Sequence, residues 1–273
     1  YRSVPIVVEP PKAVEEDELF SNERTAPASD TNSFVKEYGD RPTMVYAQSV
    51  DGQLHAFVLN ANATGGTWGA PTNVPRVDSL QNNELWTFIP PAVMPSLFRN
   101  FDVHARLSDG PLAYANVAFS QDPNNGAQVV PWRTMNDVQE GKGEYKTVLV
   151  VSSGPSVIGG FYYALDVTDP LKPRFLWQLS SAGDKKDERR DLFGDSVPGA
   201  AITTLRLRET GVGRNDERMV PVAILAGGSR NAAPTGDTPR RRDPAAVWNG
   251  TGHRPRQRIR DWGDSVAARS VTV

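Results

Sequence analysis

R-P-T-M-V-Y-A-Q-S-V-D-G-Q-L-H-A-F-V-L at residues 41–59, followed by E-L-W-T-F-I-P-P at 84–91, decides how this chain folds. T-M-V-Y-A-Q-S at 43–49 is short, apolar and bounded by Pro42 and by Asp51-Gly52, the pattern of a buried strand. Q-L-H-A-F-V-L at 53–59 follows two turn residues. Asp-Gly closes tight hairpins because both central positions tolerate positive φ, so 43–49 and 53–59 are predicted to pair antiparallel. E-L-W-T-F-I places Trp86 and Phe88 on one strand face, and Pro90-Pro91 stops further pairing. Residues 60–83, with N-A-N-A-T-G-G-T-W-G-A-P-T-N-V-P, show turn chemistry without periodicity and are predicted to form a surface loop.

The order recurs. S-D-G-P at 108–111 launches P-L-A-Y-A-N-V-A-F, a polar insert occupies 120–144, and K-T-V-L-V-V-S-S-G leads to F-Y-Y-A-L-D-V at 161–167 and R-F-L-W-Q-L at 174–179. Leu85-Trp86 thus corresponds to Leu176-Trp177, and each tryptophan shares its strand face with an apolar residue two positions on, Phe88 and Leu179. A third, partial unit holds P-G-A-A-I-T-T-L-R-L at 198–207, V-P-V-A-I-L-A-G-G at 220–228 and A-R-S-V-T-V at the chain end.

Repeated antiparallel meanders with an apolar face and a tryptophan on the last strand are the pattern of β-propeller blades. One meander cannot bury both faces; stacking blades around an axis does so, with the tryptophan as the wedge between neighbours. The fold class read from the sequence is therefore all-β, a β-propeller of four-stranded antiparallel blades. About three blades are present, at about 41–91, 108–180 and 198–273. Taking Val45, Val148 and Val222 as equivalent, the spacing exceeds the roughly 40 to 50 residues of an ordinary blade, and the inserts account for the excess as loops. Three blades do not close a ring, so the chain reads as a fragment of a larger propeller that stops in mid-strand at Val273. A β-sandwich is the competing architecture and leaves the repeated L-W strand to coincidence.

Residues 1–40 carry E-E-D-E at 15–18 and several prolines, and read as an acidic linker or arm. Within it, V-P-I-V-V at 4–8 can add an edge strand, supplying the first strand that the 41–91 unit lacks. The chain has 273 residues, 38% of them hydrophobic, with 23 glycines and 22 prolines, a punctuation density that suits many short strands. A net charge of -2 gives no global attraction to nucleic acid or to an anionic membrane. With no cysteine, disulfides, zinc-thiolate sites and cysteine nucleophiles are excluded. No apolar run approaches the roughly 18 residues of a bilayer span. The chain opens at Tyr1 without a signal-peptide pattern, which reads as an intracellular protein or as a mature or excised piece.

The residues offer little conventional chemistry. His55, His104 and His253 are far apart and lack metal-ligand partners at helical spacing, and His55 reads as a hydrogen-bonded structural histidine. Gly194-Asp195-Ser196-Val197 recurs at Gly263-Asp264-Ser265-Val266, but neither serine is followed by a base-bearing segment, so both read as repeat-related turns. Glycine pairs at 159–160 and 227–228 lack the helix that a phosphate-binding loop opens onto. R-R-R at 240–242 and R-P-R-Q-R-I-R at 254–260 form an arginine-rich segment over 239–260 that reads as a solvated loop, with phosphate, anionic lipid or an acidic partner as the functional alternative. Only Trp248 and Trp262 stand near it for base stacking, and nucleic acid is not expected as a partner. No catalytic, metal-binding or cofactor-binding residue is assigned, and the partner-binding residues stay open.

The strings M-V-Y-A-Q-S-V-D-G-Q-L-H-A-F, E-L-W-T-F-I-P-P-A-V-M-P-S-L, S-D-G-P, T-V-L-V-V and Y-A-L-D-V-T-D-P resemble the C-terminal propeller of the PilY family, the tip-associated adhesins and assembly factors of type IV pili. The similarity spans about 41–228, in blocks separated by inserts. It implies a secreted, non-enzymatic protein at the cell surface and pilus tip, associated with the periplasm and outer membrane during assembly. Its implied partners are minor pilins, the pilus machinery and surface or host ligands, and its implied work is to promote assembly, counteract retraction and support twitching and adhesion. The chain departs from the family where Val58 follows H-A-F in place of the usual Asp, and where the long 60–83 loop precedes E-L-W. The family's acidic calcium loop has no D-x-D-x-D counterpart here, so no cofactor is expected in this segment, and any calcium belongs to the parent protein outside it. The alternative function is a quinoprotein-type dehydrogenase propeller binding pyrroloquinoline quinone, since Y-A-L-D and L-W strands occur there too.

Overall fold

The structure, a computed structural model, describes residues 3–12, 34–60, 83–99, 105–122, 125–130, 133–134, 144–180, 193–207, 218–229 and 271–272. In chain order its strands are β1 (Ile6–Val8), β2 (Thr43–Gln48), β3 (Leu54–Asn60), β4 (Glu84–Phe88), β5 (Leu112–Asp122), β6 (Asn125–Val130), β7 (Arg133–Thr134), β8 (Glu144–Ser152), β9 (Phe161–Asp166), β10 (Arg174–Ser180), β11 (Ala201–Leu207), β12 (Arg218–Ile224) and β13 (Val271–Thr272). Two short helices lie along the first part of the chain, α1 (Phe34–Tyr38) between β1 and β2 and α2 (Met94–Arg99) between β4 and β5.

The strands form antiparallel sheets in the predicted succession. The first sheet is the meander β1-β2-β3-β4, the second runs β10-β9-β8-β5-β6, and the third runs β11-β12-β13 with β7 also pairing β12. The arm therefore supplies the first strand of the first sheet: Ile6, Val7 and Val8 stand opposite Tyr46, Val45 and Met44. Pro5 precedes this edge strand and cannot interrupt its ladder. The insert at 120–144 differs from expectation, for it is not all loop. β5 continues to Asp122 and β6 turns back on it, with Ser120 opposite Val130 and Gln121 opposite Val129. β7 crosses to the third sheet, where Arg133 and Thr134 pair with Met219 and Arg218. Main-chain pairing, rather than an apolar side-chain pattern, makes these strands.

The sheets stack face to face. Met44, Tyr46, Leu54, Ala56 and Val58 of the first sheet pack with Leu149, Val151, Phe161, Tyr163 and Leu165 of the second. The opposite face of the second sheet, with Val148, Val150, Tyr162, Ala164 and Trp177, packs with Phe193, Val197, Ala223 and Leu225 towards the third. Every residue of β9 is buried, because its sheet has a neighbour on each side. This explains why F-Y-Y-A-L-D lacks the clean apolar-polar alternation of a half-exposed strand.

The two tryptophans occupy equivalent positions. Trp86 stands opposite Ala56, and the ladder skips Leu85 as a bulge. Trp177 stands opposite Ala164, and the ladder skips Leu176. The repeated Leu-Trp pair is thus a bulged leucine that re-aims the following indole across the small side chain of an alanine. Trp86 and Phe88 both pack into the core between the first two sheets, and Trp177 and Leu179 into that between the second and third.

The same ladders correct the alignment of Val45 with Val148. Ala56 pairs with Tyr46, and Ala164 pairs with Val150. Val45 is therefore equivalent to Leu149, and Met44 to Val148. A shift of one residue exchanges the two faces of a strand, so the distinction decides which sheet each side chain meets.

The β2-β3 connection is one residue longer than expected. Ser49 N–H donates to Gln53 O and Gly52 N–H to Ser49 O, both at 2.9 Å. Gly52 alone of the Asp51-Gly52 pair has positive φ, at 88°. This is a three-residue loop ending in a left-handed glycine rather than a two-residue turn with both central residues left-handed.

Gly154, at φ 60°, lies against Gly110, and a Cβ added to it would sit 2.6 Å from Gly110 Cα and 2.8 Å from Gly110 N. Backbone cannot yield as a flexible side chain can. Gly154→Ala is expected to cost about 1–3 kcal/mol, read as a lowered urea midpoint. An unchanged midpoint would show that the two backbones are not held this close.

Candidate functional site

Two extended segments run along the seams between sheets, and they define the region where main-chain and polar groups converge. Residues 105–110 join the first seam: Leu107 N–H donates to Val50 O at 2.9 Å and Asp109 N–H to Ser153 O at 2.8 Å, while Arg106 O accepts from Val157 N–H at 3.0 Å. Residues 193–198 do the same at the second. Gly194 N–H donates to Gly227 O and its carbonyl accepts from Gly160 N–H, each at 2.7 Å, and Ser196 and Ser229 exchange two main-chain bonds. Gly194-Asp195-Ser196-Val197 is therefore a strap between sheets, not a turn. The glycine pairs at 159–160 and 227–228 serve its passage, since Gly160 and Gly228 leave no room for a Cβ beside it.

Between the straps lies a cleft of about 530 Å³. Pro111, Pro155, Pro198 and Val197 give it apolar walls, and Asp109, Ser196 and Ser229 place polar groups on its lining. Asp109 is 3% exposed and its Oδ1 accepts from the main-chain N–H of Ser3, so the arm is anchored at this end of the molecule.

Among the described residues Arg41 is the largest fully buried side chain. Its guanidinium donates to Thr147 Oγ1 at 2.8 Å, Thr168 O at 3.2 Å and Glu9 O at 3.1 Å, tying arm, first sheet and second sheet together. Phe34 of α1 lies over the same group, 5.9 Å from ring centroid to Cζ. Burial pushes the guanidinium down to about 10, which still leaves it charged at neutral pH. Trp86 bridges the same two sheets with an indole N–H bond of 2.8 Å to Pro170 O. Across the second seam, the Tyr162 hydroxyl reaches the carbonyl oxygens of Pro198 at 2.8 Å and Ala226 at 3.2 Å, and burial raises its phenol above the ordinary range.

On the face of the first sheet turned away from the second, His55 joins a chain of polar groups. Its Nδ1 lies 2.7 Å from Glu84 Oε1 and its Nε2 lies 3.1 Å from Ser49 Oγ. Ser49 Oγ in turn contacts Asp51 Oδ1, and Thr87 Oγ1 donates to Glu84 Oε1 at 2.6 Å. The Thr87 hydroxyl, and after it His55, hold the Glu84 carboxyl below the usual carboxylate range. The equivalent of His55 in the second sheet is Tyr163, within the apolar core, so the second sheet has no counterpart of this polar chain.

His55 is the one histidine that falls among the described residues; His104, His253, the repeat at 263–266, the arginine-rich 239–260 segment and most of the 60–83 loop lie outside them. Among the described residues no three His, Asp or Glu side chains gather in a way that could hold a metal ion. No described helix is long and apolar enough to cross a membrane. Sequence reading missed Arg41, the two straps and the acidic partner of His55, Glu84. Only Glu84 left a trace, as the charge that opens E-L-W.

No protein-family model matches the chain. A type IV pilus biogenesis factor PilY1 homolog from Xylella fastidiosa is 28% identical over 167 residues, which cover 60% of this chain and 10% of the relative. The chain thus spans about a tenth of the length of the curated relative it matches. The crystal structure of the Pseudomonas aeruginosa PilY1 C-terminal domain overlaps 81% of this chain and 31% of that one, with a TM-score of 0.38 and 18% identity, too loose a likeness to transfer geometry. The resemblance read from the M-V-Y-A-Q-S, E-L-W and Y-A-L-D strings is borne out by the match to the PilY1 homolog: over 167 residues this chain is similar to a PilY-type protein.

Proposed function

We propose that this chain is part of a type IV pilus biogenesis factor, in which it serves as a non-enzymatic scaffold without a cofactor of its own. The match to the PilY1 homolog carries this reading. The architecture suits it: stacked sheets, joined by straps and by buried Arg41, form a scaffold of the kind on which connecting segments make contacts. On this reading the parent protein is exported to the periplasm and cell surface, works with minor pilins to promote assembly and counteract retraction, and meets surfaces at the pilus tip.

In-frame deletion of residues 41–228 from the parent gene is the direct test. Surface pili and twitching are expected to be lost, and surface adhesion with them. Normal piliation in a strain that still makes the shortened protein would refute the assembly role. Normal piliation with lost adhesion would retain only the contact role.

A further inference from the structure

β1 has a counterpart in each of the other sheets, since β5 beside β8 and β11 beside β12 take the place that β1 takes beside β2. Those two strands follow directly on the straps and pair over eight and seven residues. β1 pairs over three, Ile6 to Val8 against Tyr46 to Met44, so its ladder stops short of Ala47 and Gln48 on the same edge of β2. The first sheet is closed by its weakest strand.

Residues 3–12 are seated chiefly by main chain. Ser3 N–H donates to Asp109 Oδ1 at 3.0 Å, the ladder holds 6–8, and Glu9 O accepts from the Arg41 guanidinium at 3.1 Å. Any extended backbone carries such groups, so the seat reads conformation before it reads sequence. Its side-chain demands are few: Val8 and Pro11 are buried and Ile6 packs on the core, while Val4 and Val7 are exposed. At position 3 the fit is poor. The Ser3 hydroxyl is buried and finds no hydrogen-bond partner among the described residues, an unfavourable state that an alanine there does not share.

We propose that this seat, running from Asp109 along the β2 edge to Arg41, is a docking site for an extended segment of another protein, and that residues 3–12 fill it as an exchangeable strand. Residues 13–33 lie between this strand and α1, so it can leave without carrying another strand with it. A second copy of the chain is disfavoured as the incoming partner. Its strand is identical, and the resident one competes at an effective concentration on the order of millimolar. The segment that displaces it has a small apolar residue in place of Ser3 and apolar residues in place of Ile6 and Val8. It has no proline in place of Pro5, so that pairing runs on to Ala47 and Gln48.

The test is fluorescence anisotropy with a labelled peptide of residues 3–12 bearing Ser3→Ala and Pro5→Thr. It is titrated with the full chain and with the full chain carrying Val8→Asp, which sets a charge where the resident strand must be buried. The Val8→Asp chain is expected to keep its near-ultraviolet circular dichroism and to bind the peptide at least about tenfold more tightly than the unsubstituted chain, whose own strand competes. The peptide without the two changes is expected to bind the Val8→Asp chain about tenfold more weakly. A Val8→Asp chain that loses its tertiary signal would show that the strand is part of the fold and not exchangeable. Equal affinity for the two chains, absence of binding to the folded Val8→Asp chain, or equal affinity of the two peptides would each overturn the proposal.

Discussion

Replacing Trp177 with alanine is expected to destabilise the chain by about 3–5 kcal/mol, the largest loss of any single substitution considered. The indole is 7% exposed and fills the space bounded by Phe193, Val197, Ala223 and Leu225, where the second sheet meets the strap and the third. Alanine leaves a cavity that straps tied by main-chain hydrogen bonds cannot collapse to fill. Two further substitutions separate packing from polarity. The Trp177 indole N–H is buried and finds no hydrogen-bond partner among the described residues, so Trp177→Phe removes an unmet donor while keeping most of the ring, at a cost of less than about 1.5 kcal/mol. Trp86→Ala should cost about 2 kcal/mol, since Trp86 is only partly buried, though it also gives up its bond to Pro170 O. Urea unfolding of the four proteins gives the comparison. A cost below about 1 kcal/mol for Trp177→Ala would mean that the indole is not a wedge between sheets.

Arg41→Ala is expected to cost about 3 kcal/mol, for a different reason. Burying the guanidinium is itself unfavourable, as its lowered proton affinity shows, and among the described residues no carboxylate lies within ion-pair distance to offset that. What holds it is a fan of neutral oxygens from three separate stretches of chain: Glu9, Thr147 and Thr168. Alanine takes a donor from each of these oxygens; Thr168 O is buried, Thr147 Oγ1 keeps its bond to Asn116 Oδ1 and Glu9 O is only part-buried, and a buried acceptor left unpaired costs roughly 1–3 kcal/mol, partly returned by no longer burying a charge. Arg41→Lys keeps the charge but offers no planar fork, and should recover less than half of the loss. Full stability in Arg41→Lys would show that charge alone, not the fan of donors, matters at this position.

The sequence made the strands legible where side chains carry the instruction. T-M-V-Y-A-Q-S, T-V-L-V-V and V-P-V-A-I-L are apolar runs between turn residues, and all three form central strands of their sheets. The Leu-Trp repeat was readable as equivalence, because an indole opposite an alanine is a side-chain match. Its register was not: a bulge is a main-chain event, and skipping Leu85 and Leu176 leaves no mark in the order of apolar residues. The straps were hidden for the same reason. R-L-S-D-G and G-D-S-V have no period, and they are held by carbonyls and N–H groups that every residue possesses. Arg41 is the clearest case. An arginine before a proline reads as a solvated boundary, and only the arrival of Glu9, Thr147 and Thr168 from elsewhere makes it interior. His55 read correctly as a hydrogen-bonded residue, but its partner Glu84 lies 29 positions away, beyond any local pattern.

That the second sheet is enclosed on both sides also sets the smallest piece that can stand alone. The main-chain amides of its inner strands β8 and β9 can meet solvent only if a neighbouring sheet departs, so hydrogen exchange there should proceed no faster than separation of a seam, whereas exposed β11 exchanges by local fraying. Cutting the chain at either seam would lay bare a full apolar face, and the resulting fragment would associate with whatever it met. Mapping by truncation will therefore mislead in this region, and contacts with partners are better located by single substitutions that leave all three sheets in place.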